Sequence, residues 1–224
     1  GLPEGDLAVC GPLARSPADL RLALSIMAGP AQRHAKGWQL SLKPAVKQQL
    51  SDYKVVIWAT DATAPVADEV STRALEVGAQ LEASGASVSY TARPQFDVVA
   101  AHENYQTLLN SAMTSGMGPE EVARMQRRAD SLATDDRSRG AQITRAAVLS
   151  HRDWIRANGQ REKIRAAWDE FFEAWDIVVC PQMATTAFVH DHQRFGQRTL
   201  TVDQAQRPYF EQLFWAGLAI NAYL

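Results

Sequence analysis

The chain has 224 residues, of which 46% are hydrophobic and 21% are charged, and this composition is typical of a globular domain. Its formal net charge of -2 lacks the basic excess that binds nucleic acid or an anionic membrane surface. Because no apolar run approaches the roughly 20 residues of a bilayer span, we expect a cytoplasmic protein.

The first predicted element is a helix. Ser16 is a candidate N-cap, Pro17 takes the first helical position, and Asp19 adds a negative charge in the first turn. The helix is expected to end at 28–30, which reads Ala-Gly-Pro. Its apolar residues recur at helical spacing and predict a packed face: Leu20, Ala23, Leu24 and Met27.

A polar connector follows over 31–53, with a weakly strand-like patch at Trp38, Leu40 and Leu42. The segment 54–90 then predicts a βαβ unit. Its first strand, 54–60, is almost continuously apolar, its helix covers 68–84, and a second strand follows at 87–90. A unit of this order is expected to have parallel strands and a right-handed crossover.

The segment 97–175 is predicted to be helical, in two stretches at about 97–132 and 141–175. One interruption is expected at 116–119, where Pro119 opens a new helix, and Gly159 marks a second break or a close crossing within 141–175. An aromatic stripe predicts a buried face on the last of these helices: Ile164, Trp168, Phe171 and Trp175.

The segment 176–224 is predicted to hold a strand, an irregular polar stretch and a helix. The strand, 176–180, is expected to join the same sheet with cover on both faces, 182–208 is expected to be irregular, and 209–219 to be helical. Ligands of α/β sheets gather at the carboxyl ends of strands. The predicted substrate-binding residues are therefore Pro181, Gln182 and Met183, with Phe214 and Trp215 as either an apolar wall or core.

Four strings of the sequence resemble the amidase signature hydrolases, in the order in which that family has them. They are the Gly-Pro-Leu-Ala-Arg-Ser turn at 11–16, the aromatic helix and strand at 171–181, the Ala-Phe-x-His-Asp stretch at 187–191, and the helix at 209–219. The resemblance implies that 1–224 is part of an amidase signature domain with an α/β fold, in which a mixed sheet is flanked by helices and is incomplete in this chain.

The resemblance also implies amide hydrolysis by a nucleophilic serine, a bridging serine and a general-base lysine, with a small-molecule amide as substrate and no cofactor or metal. The sequence contains no Gly-Gly-Ser-Ser-Gly string, and none of its lysines lies in the family's catalytic context. No catalytic residue is therefore assigned, and the triad is expected upstream of Gly1. With an apolar run from Leu213 to the end, we expect a fragment that is inactive, marginally stable and self-associating.

Three alternatives stay open. His190 and His192 flank Asp191 and are candidate ligands of a metal-dependent hydrolase. Cys180 with His151 or His190 is a candidate thiol nucleophile and base, although Cys10 and Cys180 are both expected to be reduced and partly buried. A non-catalytic helical interaction module is the third, with anchors at Trp154, Trp168 and Trp175.

Overall fold

The computed structural model describes residues 5–224, which form two compact units. The smaller unit is Ala8–Gln48, and the larger is Gln49–Leu224 with the short stretch that ends at Leu7. The helices of these residues are α1 (Pro17–Met27), α2 (Asp68–Ala83), α3 (Val98–Met113), α4 (Pro119–Asp130), α5 (Arg139–Ala147), α6 (His151–Ala174) and α7 (Leu213–Ile220). The strands are β1 (Lys54–Ile57), β2 (Ser87–Ser89), β3 (Ile177–Val179), β4 (Thr199–Val202) and β5 (Ala205–Pro208).

The smaller unit contains α1 with the predicted cap. The Ser16 hydroxyl oxygen accepts a hydrogen bond from the Asp19 N–H at 3.1 Å, and Pro17 is the first helical residue. The prediction of a packed face is wrong, because no residue of α1 is buried. The predicted strand-like patch is also wrong: 38–42 is irregular and exposed. This unit holds one helix and irregular chain, so it offers no second apolar surface against which the stripe could pack.

The larger unit is built on a three-stranded parallel sheet in the order β2-β1-β3. Val55 of β1 is opposite Val88 of β2 on one side and opposite Ile177 of β3 on the other. All three apolar residues of β1 are only 1% exposed: Val55, Val56 and Ile57. The predicted parallel βαβ unit is therefore confirmed, and so is the placement of the third strand in the same sheet.

The expectation that β3 is covered on both faces is wrong. Ile177 is 40% exposed, and Cys180 just beyond the strand is exposed. Among the described residues β3 pairs only with β1, so it is an edge strand with less cover than the central strand. Cys10 is exposed as well, and both cysteines are free thiols, which corrects the prediction that they are partly buried.

The helical segment is interrupted at 116–119, as predicted. Its break within 141–175 lies at a different place from the predicted one. Pro119 opens α4. The break within 141–175 falls before α6, where the Ser150 hydroxyl oxygen accepts from the Asp153 N–H at 3.1 Å. Gly159 lies inside the continuous α6 with no neighbouring atom near its missing side chain, so it marks neither a break nor a close crossing.

A β-hairpin occupies part of the segment that was expected to be irregular. Strands β4 and β5 are antiparallel, and Val202 is paired with Ala205 across the turn. Asp203 in that turn has a φ of 53°, in the left-handed region that aspartate tolerates better than most residues. The expectation of an irregular stretch is wrong here because a four-residue alternation was too short to stand out in a polar context.

The aromatic stripe of α6 packs in the main core, as predicted. Trp168 is 2% exposed and contacts Phe96, Phe171 and Phe172 at ring-centroid distances of 5.6 to 5.8 Å. Trp175 stacks on Phe171. The two tryptophans therefore stabilise this chain's own core, and Trp168 has no surface with which to anchor a partner.

The approach of α7 to α3 leaves no room for a side chain at Gly217. A Cβ atom there would lie 2.5 Å from a ring carbon of the buried Tyr105. We expect Gly217→Ala to lower the free energy of unfolding by about 1 to 3 kcal/mol, because overpacking outweighs the gain in helix propensity. Urea unfolding followed by circular dichroism measures it.

Gly159→Ala is the matched control, because it also changes a glycine inside a helix but meets no atom within 4 Å. It is expected to raise the free energy of unfolding by up to about 1 kcal/mol. Equal effects of the two substitutions would contradict the close packing of α7 on α3.

Candidate functional site

The candidate site lies at the carboxyl end of β3, where the chain leaves the sheet. Pro181 is buried directly after the strand, Gln182 is exposed, and Met183 is half-buried. Ala184 is buried again, and its carbonyl accepts a hydrogen bond from the Ala67 N–H at 2.8 Å. The loop is thereby attached to the entrance of α2, so Gln182 and Met183 are held at a defined place beside the sheet edge.

The amino end of α2 is bound on two further sides. The Thr186 hydroxyl donates to Glu69 Oε1 at 2.7 Å, which fixes the loop to the first turn of the helix. Asp203 Oδ1, from the β4–β5 turn, accepts from the Asp68 N–H at 2.9 Å. A carboxylate is well placed there, since the first N–H groups of a helix have no partner within it and carry partial positive charge.

Two adjoining cavities open along this loop and share residues 185–188. The smaller, of about 370 Å³, is lined by Gln182 and Met183 together with Val70 of α2. The larger, of about 650 Å³, lies between the loop, the first turn of α2, and the β4–β5 hairpin. Both volumes are in the range of small-molecule sites.

Phe214 and Trp215 lie in the main core and are only 2% exposed. The Trp215 indole N–H donates to the Ala64 carbonyl at 3.2 Å, and its ring meets Trp58 edge to face at 6.2 Å. Neither residue lines the two cavities beside the loop. Of the five predicted substrate-binding residues, Gln182 and Met183 reach a cavity, while Pro181, Phe214 and Trp215 are buried beside it.

Three residues that line the larger cavity were not among the predicted site residues: Glu69, Asp203 and Tyr209. Each lies on a different element: Glu69 in the first turn of α2, Asp203 in the hairpin turn, and Tyr209 directly after β5. The alternation over 199–202, followed by an aspartate, is the one signal that points to a hairpin in this region.

His190 and His192 are on the rim of the larger cavity, with ring centroids 6.3 Å apart. In the part of the chain that the structure describes, no group of three or more histidine, cysteine or acidic side chains is arranged to hold a metal ion. The exposed Cys180 has no hydrogen bond or ring contact to either histidine within residues 5–224.

The sequence model of the amidase family matches residues 4–209. The chain belongs to the amidase family. Over 173 residues it is 26% identical to the indoleacetamide hydrolase of Bradyrhizobium japonicum, a match that includes 76% of this chain and 35% of that protein. The chain thus spans about a third of the length of the curated relative it matches.

The fold is that of the amidase signature enzymes. A bacterial aryl acylamidase of this family superposes with a TM-score of 0.63 over 95% of this chain and 44% of that enzyme, at 15% identity. A fatty acid amide hydrolase gives 0.61 over 95% of this chain and 34% of its own, also at 15% identity. Within residues 5–224, no helix has both the length and the apolar character of a membrane span.

Proposed function

We propose that this amidase family member contributes the substrate-binding wall of a serine hydrolase that cleaves a carboxylic amide. The nucleophilic serine, the bridging serine and the general-base lysine lie upstream of Gly1. The family match over 4–209 carries the proposal, since it covers nearly all of a sequence in which no catalytic serine motif occurs. The cavities at the carboxyl end of β3 support it, because that is where α/β folds bind their ligands.

In this proposal the chain orients the acyl group and excludes water from it. Met183 and the side-chain stem of Gln182 form the wall of the smaller cavity. Pro181 sets the course of the chain beneath them, and the buried pair Phe214 and Trp215 belongs to the same core cluster as Ala184 of the loop. The serine attacks the amide carbonyl, the amine departs with a proton, and water releases the acid from the acyl enzyme.

The substrate we favour is an amide with a small apolar or aromatic acyl group. The smaller cavity is bounded by Val70, Met183 and Phe188, which suit an apolar group, and its volume of about 370 Å³ is in the range of small-molecule sites. The indoleacetamide hydrolase, at 26% identity, is named for an amide with an aromatic acyl group, which is consistent with this class.

A longer protein that includes the upstream residues tests the proposal. It is expected to release ammonia or amine from indole-3-acetamide or an anilide, and a fluorophosphonate is expected to label one serine upstream of Gly1. Hydrolysis that persists without a labelled serine, or that a chelator abolishes, would overturn the serine mechanism. The second result would favour the metal hypothesis at His190 and His192.

In the same protein, Met183→Ala is expected to raise KM for the aryl amide about tenfold with a smaller change in kcat. Removing an apolar contact made equally in the ground and transition states costs about 1 to 2 kcal/mol of binding. Steady-state kinetics measures both constants. Met125→Ala on α4, outside either cavity, is the control and is expected to leave both unchanged. An unchanged KM for Met183→Ala would remove this residue from the wall.

A further inference from the structure

The larger cavity is lined by aromatic and acidic residues that have no role in the proposed acyl-binding wall. It is bounded by residues from three separate parts of the chain: the first turn of α2, the loop 185–192, and the β4–β5 hairpin with Tyr209. Its floor is apolar, since Ala67 and Leu200 line it and are only 6% and 4% exposed. A concave site with an apolar floor and a few polar groups at its rim is the usual form of a small-molecule site.

Aromatic rings form one side of this cavity. Phe188 and Tyr209 both line it and meet edge to face, with ring centroids 5.8 Å apart. Ring faces present partial negative charge and attract a nearby cation, while the rings also bury the apolar body of a ligand. The Arg198 guanidinium already lies 6.0 Å from the Tyr209 ring centroid, so Phe188 is the ring that is offered to the cation of a ligand. Phe188 is 43% exposed, so part of its ring is available for such a contact.

Apart from His190 and His192 at its rim, the ionisable groups that line the cavity are all acidic. They are the carboxylates of Glu69, Asp191 and Asp203, and neither lysine nor arginine is among the lining residues. Each carboxylate uses one oxygen to hold the local chain: Glu69 Oε1 accepts from Thr186, Asp191 Oδ1 from the Gln193 N–H, and Asp203 Oδ1 from the Asp68 N–H. Their second oxygens accept no hydrogen bond from a side chain or backbone group of residues 5–224.

We propose that this cavity binds an organic ammonium ion with an aromatic or alkyl body. The ammonium group donates to the second carboxylate oxygens, and the body lies against Phe188, Tyr209 and the apolar floor. A neutral ligand of the same shape forfeits the attraction of both the carboxylates and the ring faces. If the proposed function also holds, this cavity receives the amine side of the amide, but binding of the cation does not depend on that.

Isothermal titration of the 224-residue chain at neutral pH tests the proposal with two probes of one shape, benzylammonium and benzyl alcohol. Benzylammonium is expected to bind at least about tenfold more tightly, since charge-assisted hydrogen bonds are roughly twice as strong as neutral ones and a cation adds attraction to the rings. Equal affinities, or tighter binding of benzyl alcohol, would overturn the proposal.

Two substitutions locate the binding. Glu69→Gln keeps an oxygen for the Thr186 hydroxyl, and Asp203→Asn keeps one for the Asp68 N–H, so each removes charge while leaving the local hydrogen bond. Each is expected to weaken benzylammonium about three- to tenfold and to leave benzyl alcohol unchanged.

Glu76→Gln is the matched control, because Glu76 is on the same helix but pairs with Arg73 and does not line the cavity. It is expected to leave the affinity unchanged. Benzylammonium binding that tolerates both cavity substitutions, or that falls equally with Glu76→Gln, would show attraction to overall charge and would contradict the site. Because no catalysis is measured, this result is separate from the fate of the serine mechanism.

Discussion

Residues 1–224, purified alone, are expected to hydrolyse indole-3-acetamide and anilides no faster than buffer. An acyl-transfer enzyme that lacks its nucleophile and general base loses on the order of a million-fold in kcat, because the two act as a unit. An enzyme without its triad keeps some rate enhancement from its oxyanion hole, but the Gly/Ser-rich string that forms this hole in the family is absent from the sequence as well. Ammonia release measured over days, against a matched protein-free blank, checks this expectation.

The double variant Cys180→Ala with His190→Ala decides what any observed turnover means. Turnover that survives it would show a nucleophile elsewhere in 1–224 and would contradict the proposal that the catalytic residues lie upstream. Turnover that the double variant abolishes would contradict it as well, and would assign the reaction to Cys180 or His190. Circular dichroism of the double variant confirms that the fold is retained.

The sheet was predictable because its signal is local. The apolar run at 54–60, the helical stripe of α2 and the short apolar runs at 87–90 and 176–180 each identify an element within a few residues. A βαβ connection then admits essentially one handedness and one strand direction. The local pattern identified the strands, and the rule for βαβ connections predicted that they run parallel in one sheet, as they do in the structure.

The larger cavity was not predictable in the same way. Glu69, Asp191 and Asp203 are more than a hundred residues apart at their extremes and meet only because the loop and the hairpin both attach to the first turn of α2. Those attachments are single hydrogen bonds between polar residues, and they leave no periodic trace in the sequence. The start of α6, by contrast, has a signal in the sequence, since Ser150 followed by Asp153 is a helix-start pattern.

Burial of α1 and β3 could not be read from apolar pattern alone. Leu24 and Met27 recur at helical spacing but are each 49% exposed, and Ile177 belongs to an apolar run at a sheet edge. An apolar stripe indicates which face of an element suits a core. Whether the face is buried depends on a second surface, and the stripe does not encode that surface.

The ion pair of Asp6 with Arg161 is expected to contribute more to stability than any other charge pair described here. Arg161 is buried in α6 with a side chain only 4% exposed, and its Nη1 lies 2.9 Å from Asp6 Oδ1. The Tyr223 hydroxyl donates to the same carboxylate. Asp6→Asn is expected to lower the free energy of unfolding by about 3 kcal/mol, because it leaves a buried guanidinium without its countercharge.

Two comparisons separate this effect from a general loss of charge. Glu76→Gln breaks the exposed Arg73–Glu76 pair and is expected to cost less than about 1 kcal/mol. Asp6→Asn combined with Arg161→Met is expected to recover part of the loss, because the uncompensated charge is gone. Urea unfolding of the natural chain, Asp6→Asn, Arg161→Met and the double variant gives the coupling between the two residues. A double variant no more stable than Asp6→Asn alone would show that packing of the Arg161 side chain, not its charge, is what matters.

The pH dependence of stability gives an independent measure of the same cluster. Burial alone would raise the pKa of Asp6, but hydrogen bonds from Tyr223 and Arg161 outweigh it and hold this pKa below the usual value. The contribution of Asp6 is therefore complete above about pH 4, the ordinary pKa of an aspartate, and is lost as the pH falls through the lower pKa of the folded state.

Burial and the bond to Asp6 raise the pKa of Tyr223 to about 12. Its contribution is complete below about pH 10 and is lost as the pH rises toward 12. Asp6→Asn is expected to flatten the acid limb of the stability profile, and Tyr223→Phe the alkaline limb. Profiles that keep both limbs in these variants would show that other groups govern the titration.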